Sequence, residues 1–174
     1  IPPSSGPIGS WCRACMKPST VQFEGNIVRL PRAGDYGLQA IFFLAMKATD
    51  GEASADEIAR ELKLPSSFLK KILQRLSATG ILRSTKGYDG GFSLSRPAER
   101  LSMLEVIEAI DGPIRLNVCL HGPGSCPRQA TCAMHPVWRE AQGALRNVLS
   151  AWTFDRLGQL THTLEASCPA AEGK

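Results

Sequence analysis

The sequence predicts a mainly α fold, a winged helix-turn-helix with a small β-hairpin wing and a long C-terminal dimerisation helix. Three observations carry that prediction. Two helical patterns broken at Leu64-Pro65-Ser66 are followed by two stretches of strand period joined by a glycine-bearing tip. Between Glu61 and Asp89 there is no acidic residue, although Lys63, Lys70, Lys71, Arg75, Arg83 and Lys86 all fall there. Farther along, Trp138, Ala141, Leu145, Val148 and Trp152 are spaced 3, 4, 3, 4, a heptad seam.

The totals only bound the answer. With 174 residues, 43% of them hydrophobic, the chain can bury one ordinary core. A net charge of +4 is too mild to imply a polyanionic partner until the charges are placed. Six cysteines are too sparse for a disulfide scaffold. The longest apolar run, Ala40 to Met46, falls far short of the roughly 20 residues that span a bilayer, and no membrane partner is expected. The first 27 residues lack a basic start followed by an apolar stretch, so no signal peptide is read and a reducing, cytoplasmic setting is expected.

Taken in order, residues 1–27 hold four of the 12 prolines, show no period and read as a disordered leader or tail. Glu24-Gly25 ahead of Val28 suggests a ribosome-binding stretch before an alternative start codon, and peptides from before Val28 in native protein would overturn that reading. Cys12 and Cys15 form a C-x2-C pair without a matching second pair, and are read as inert. Residues 28–100 are assigned to the winged helix-turn-helix, 101–166 to a cluster-binding loop and dimerisation helices, and 167–174 to a disordered tail carrying Cys168.

Within 28–100, Tyr36 to Lys47 is a helix too apolar for a surface element. Ser54-Ala-Asp-Glu57 has the form of a capping box and starts a helix burying Ile58, Ala59 and Leu62. The next helix sets Phe68, Leu69, Ile72, Leu73 and Leu76 on one stripe, with Ser66, Ser67, Lys70, Lys71, Gln74 and Arg75 opposite, and stops at Gly80. Ile81 to Ser84 and Phe92 to Ser95 are the wing strands. A second capping box, Ser102 to Glu105, opens a helix with Met103, Val106, Ile107 and Ile110 on one side, closed at Asp111-Gly112-Pro113. Leu157, Leu160 and Leu164 extend the heptad spacing onto a last helix.

A helix-turn-helix with an acid-free basic stretch suits double-stranded DNA, since each neutralised phosphate releases condensed counterions. Ser66, Ser67, Lys70 and Lys71 are placed at the major groove, with Arg75 on the same face. Lys86 at the wing tip is set to reach an adjacent minor groove, and Gly90 and Gly91 to let backbone approach phosphate.

Cys119, Cys126 and Cys132 stand as C-x6-C-x5-C in one Gly/Pro loop with His121 and His135 nearby, and Arg115 and Arg128 are placed to stabilise thiolates. Thiols so grouped in a reducing compartment suit a soft metal. The spacing is wider than zinc knuckles and fits an iron–sulfur cluster. A fourth ligand would come from His135, or from Asp35 across a dimer. The plainer readings are a surface His at a helix start, an N-capping Asp, and three unmetallated thiols. No phosphate-cradling glycine loop, nucleophilic dyad or paired carboxylate set is visible, so no enzyme is expected.

From Val28 to Leu160 the chain resembles the Rrf2 family of bacterial transcription regulators. The matching text is V-R-L-P-R-A-G-D-Y-G-L from Val28, P-S-S-F-L-K-K-I-L-Q-R-L from Pro65, S-T-K-G-Y-D-G-G-F-S-L from Ser84 and C-A-M-H-P-V-W-R-E from Cys132. The resemblance implies a homodimer joined through its long C-terminal helix, with three loop Cys holding a cluster whose state governs repression or activation. Cys132 with His135 is similar to the IscR branch, which implies a His ligand and a 2Fe–2S cluster. Asp35-Tyr36-Gly37-Leu38 is similar to the NsrR branch, which implies an Asp given across the dimer to a 4Fe–4S cluster that nitric oxide destroys. The expectation is a repressor sensing nitric oxide, redox state or iron–sulfur supply, with a winged-helix regulator holding structural zinc, or a small iron–sulfur electron carrier, as the competing readings.

Overall fold

The computed structural model describes residues 31–47, 51–85 and 90–167. The readings made for residues 1–27, for Lys86 at the wing tip, and for Cys168 lie outside them. The order is α1 (Arg32–Met46), α2 (Ala55–Leu62), α3 (Ser66–Ala78), β1 (Leu82–Ser84), β2 (Phe92–Leu94), a 3-10 turn (Ala98–Arg100), α4 (Met103–Asp111), a second 3-10 turn (Val118–Leu120), α5 (Met134–Ala151) and α6 (Phe154–Ser167). This is a winged helix-turn-helix extended by three further helices.

The local starts follow from side-chain chemistry. Ser54 accepts from the Glu57 backbone N–H at 3.1 Å and so caps α2. The Glu57 carboxylate does not complete the box. It bonds Lys47 Nζ at 2.7 Å, because an ammonium from the end of α1 is a stronger partner than a neutral amide. Ser102 and Glu105 do form the full box at the start of α4.

α1 begins four residues ahead of the expected Tyr36, and no side chain caps it at Pro31. Asp35 lies one turn inside the helix and accepts from Gln39 Nε2 at 3.0 Å, so it is not an N-cap. Asp111 at the end of α4 lies near the first turn of α1. Burial pushes the Asp111 carboxyl up, with the nearby Gly34 N–H and the Arg75 charge opposing.

The core is built from α1, α2, α3, β1 and α4, around Ile41, Leu44, Ile58, Leu69, Leu73, Leu76, Val106 and Ile110. Two positions differ from the expected faces. On α4 it is Leu104, with Val106, Ile107 and Ile110, that is buried. Phe68 on α3 is 39% exposed and meets the edge of Tyr36, ring centroids 5.8 Å apart, at the margin of the core.

The wing pairs Leu82 with Leu94 and Ser84 with Phe92, antiparallel. Ala53 adds a bridge, exchanging both backbone bonds with Phe92 at 3.0 and 2.8 Å. Gly91 is needed for this approach, because a Cβ there would stand 2.9 Å from the Ala53 carbonyl oxygen. Thr85 Oγ1 accepts from the Gly91 N–H at 3.0 Å. The base of the wing therefore consumes Gly91, which is not left open for phosphate.

The C-terminal helices attach through a short antiparallel contact. Met103 N–H donates to Trp152 O at 2.9 Å and Phe154 N–H to Leu101 O at 3.1 Å, which seats Phe154 fully buried in the core. The heptad run stops at this return. Leu157 packs on the core, whereas Leu160 and Leu164 face outward. No described helix is long and apolar enough to cross a membrane.

Candidate nucleic-acid interface and cysteine loop

The turn of the helix-turn-helix is made at Lys63, one residue before the expected break, with φ at 54°. Lys63 caps α2 through its N–H to Ala59 and Arg60 carbonyls, and Leu64 N–H bonds Ala59 O at 2.9 Å, closing the helix as glycine usually does. Pro65 then fixes the entry to α3, whose first turn carries no acid.

Leu69, Ile72, Leu73 and Leu76 face inward, which leaves Ser67, Lys70, Lys71, Gln74 and Arg75 exposed on the opposite face with Ser66 half-buried beside them. Uncapped amides and basic side chains at a helix N-terminus are a ready anion site. Arg83 on β1 is exposed as well, and Lys86 lies outside the described residues.

The stretch that is acid-free in sequence is not acid-free in space. Asp56, in the first turn of α2, accepts from Ser66 Oγ at 2.5 Å and from Lys70 Nζ at 2.9–3.0 Å. The Ser66 hydroxyl first, then Lys70, holds the Asp56 carboxyl below its usual value. Arg75 in turn lies within the field of Asp111. Acids ten or more residues away thus answer part of the basic face, leaving Ser67 and Lys71 without such a partner among the described residues.

The cysteine loop folds on its own backbone between α4 and α5. Cys119 is buried, Cys126 and Cys132 are half-buried, and all three are free thiols. Gln129 organises the loop, accepting from Gly124 N–H at 3.1 Å and donating to Cys119 O at 3.2 Å. The Arg115 guanidinium donates to Leu120 O at 2.6 Å, a backbone partner where a thiolate was expected.

Two joints fasten the loop's entry. Glu108 of α4 accepts from Ile114 N–H at 3.1 Å and from Arg146 of α5, while Gln142 of α5 accepts from Leu116 N–H at 3.1 Å. These polar joints carried no sequence signal, since Glu108 and Arg146 are 38 residues apart.

The donor chemistry fits an iron–sulfur cluster. Three thiols stand on one loop, and His135 follows with its Nδ1 buried and without a hydrogen-bond partner. Among the described residues, however, no three His, Cys, Asp or Glu side chains are close enough together to hold a metal ion. The three expected thiol ligands share a loop but do not converge.

A model of the Rrf2 family, described as iron-dependent transcriptional regulators, matches residues 30–159. The chain belongs to the Rrf2 family. It is 32% identical over 128 residues to an HTH-type transcriptional regulator of Mycobacterium tuberculosis, covering 73% of this chain and 79% of that one. With IscR of Cronobacter sakazakii it shares 28% over 140 residues, 80% of this chain and 86% of the other. Among solved structures it is similar to Staphylococcus aureus CymR, at 30% identity and a TM-score of 0.58 over 73% of this chain and 95% of that one. T. potens IscR, at 21% identity and a TM-score of 0.61 over 84% and 93%, shows the same fold. As an Rrf2 protein, the chain is a DNA-binding transcriptional regulator and not an enzyme.

Proposed function

We propose that this Rrf2 protein is a homodimeric cytoplasmic repressor whose affinity for a double-stranded operator is set by an iron–sulfur cluster on Cys119, Cys126 and Cys132. The observation that carries the reading is the unpartnered, buried Nδ1 of His135, at the start of the helix that follows three free thiols. It favours His135 over Asp35 as the fourth ligand, because Asp35 is exposed and already accepts from Gln39. With His135 the cluster is taken as 2Fe–2S; with the alternative Asp35, as 4Fe–4S. A cluster there would supply a centre that reacts with nitric oxide and oxidants or reports iron–sulfur supply.

Residues 28–100 would supply the DNA-binding part, with Ser66, Ser67, Lys70, Lys71, Arg75 and Lys86 on the operator. Residues 101–166 would supply the loop and the dimer helices. The Glu108–Ile114 and Glu108–Arg146 bonds join the loop's entry and α5 to α4, and α4 packs on α1 and α3. A change in the loop is thereby transmitted to the spacing of two recognition helices, which must match half-sites about 34 Å apart or a multiple of it.

A second reading, thiols acting without metal, draws on the lack of three converged donors among the described residues. Anaerobic purification followed by visible absorbance and assays for iron, sulfide and zinc separates these readings and the structural-zinc one. Iron and sulfide, lost in the Cys119, Cys126 and Cys132 to Ala variant and in His135→Ala but retained in Asp35→Ala, are expected. Nitric oxide, oxidant or chelator should then shift operator binding. A triple variant that binds as the loaded protein does would overturn regulation through this loop.

A further inference from the structure

An acid from α2 reaches α3 and alters how that helix can meet DNA. Ser66 and Lys70 sit in the first two turns of α3, the part of a recognition helix that meets DNA. Both are held by one carboxylate, Asp56, at 2.5 Å and 2.9–3.0 Å. Lys71, one residue on, and Ser67 have no such partner among the described residues. The pair is at the surface, with side-chain exposures of 48% for Lys70 and 69% for Asp56, so it contributes little to folding stability. It does change what α3 presents to an approaching phosphate.

We propose that Asp56 is an internal competitor that sets the affinity of α3 for DNA, occupying its first turns until DNA displaces it. Resting on the placement of α3 at the groove, the argument is one of competition. A phosphate that contacts Lys70 must first replace a carboxylate already bonded to it, so that contact contributes little counterion-release free energy on arbitrary DNA. Asp56 therefore weakens the hold of α3 on DNA of any sequence and takes one phosphate contact out of its salt dependence.

The test is a salt titration of the full chain on a short duplex of mixed sequence. Asp56→Asn is expected to make the slope of log affinity against log salt steeper by about 0.9, one added phosphate contact, with a gain on the order of tenfold at low salt. Asp56→Ser should do the same, since the loss of charge is the cause, and it stands in if the amide loosens α2. Glu99→Gln removes an exposed acid on the 3-10 turn after the wing and reads out net charge alone. Adding Lys70→Met to Asp56→Asn should return the slope to that of the parent. A slope for both Asp56 variants equal to that of Glu99→Gln, while Lys71→Met weakens binding, overturns the role of Asp56 and keeps α3 on DNA. Indifference of Lys71→Met and the Asp56 variants alike overturns the placement of α3 and this inference with it.

Discussion

The backbone N–H of Phe154 donates to the carbonyl of Leu101 across 3.1 Å, and both side chains are fully buried. Together with the bond from Met103 N–H to Trp152 O, it returns the chain from α5 to the start of α4 and inserts the first residue of α6 into the core shared by α1 and α3.

Phe154→Ala is accordingly expected to destabilise the protein by about 3–5 kcal/mol, the usual cost of truncating a buried aromatic ring. Urea unfolding followed by circular dichroism reads it directly. A loss below about 1 kcal/mol would mean that α6 does not depend on this anchor.

Lys63 holds a left-handed backbone at φ 54°, where its Cβ crowds the following carbonyl. Lys63→Gly should therefore stabilise by about 1 kcal/mol, less the extra entropy of glycine in the unfolded chain. A thermal melt that shifts down instead would show that the lysine side chain contributes more than its backbone costs.

For the capping box at α4, burial pushes the Glu105 carboxyl up, but the bonds from the Ser102 N–H and hydroxyl and the Arg96 guanidinium outweigh it and leave the group below its usual 4.5. A depressed carboxyl contributes stability that is present above its unfolded value of about 4.5 and is lost as pH falls through the lower folded value. Glu105→Gln should thus flatten the acid side of the stability curve below about pH 5, while Ser102→Ala costs about 1 kcal/mol at neutral pH. Denaturant midpoints measured from neutral to acid pH check both.

Helix α5 buries no residue within the single chain, and Val148 is 56% and Trp138 38% exposed along its heptad seam. A charge in that seam is expected to oppose homodimer formation. Val148→Glu should sediment as a monomer at micromolar concentration and bind an operator far more weakly than the parent. A variant that remains dimeric would place the dimer contact elsewhere.

Much of this architecture was legible in local text. The Ser102 to Glu105 box, the inward stripe of α3 apart from Phe68, and the strand period of the wing appear where periodicity and capping predict them, because each depends on residues at most four positions apart. Where a residue had two possible partners, local text chose the nearer one. Local spacing sets Glu57 to close its own box, yet it pairs with Lys47, and Asp35, an N-cap on its plainer reading, lies inside α1 and accepts from Gln39. Gly91 likewise meets the Ala53 backbone rather than standing open to phosphate.

The order of helices and wing, the family, the basic character of α3 and the three thiols on one loop are all written in the amino-acid text. That Asp56 faces Ser66 and Lys70, that Phe154 enters the core, and that the three thiols share a loop without converging emerges only once the helices pack. The physical reason is range. Periodicity records which side of an element is apolar, whereas the contact between two elements is set by how the whole chain closes, and a charge on one segment then answers a charge on another that no local spacing connects.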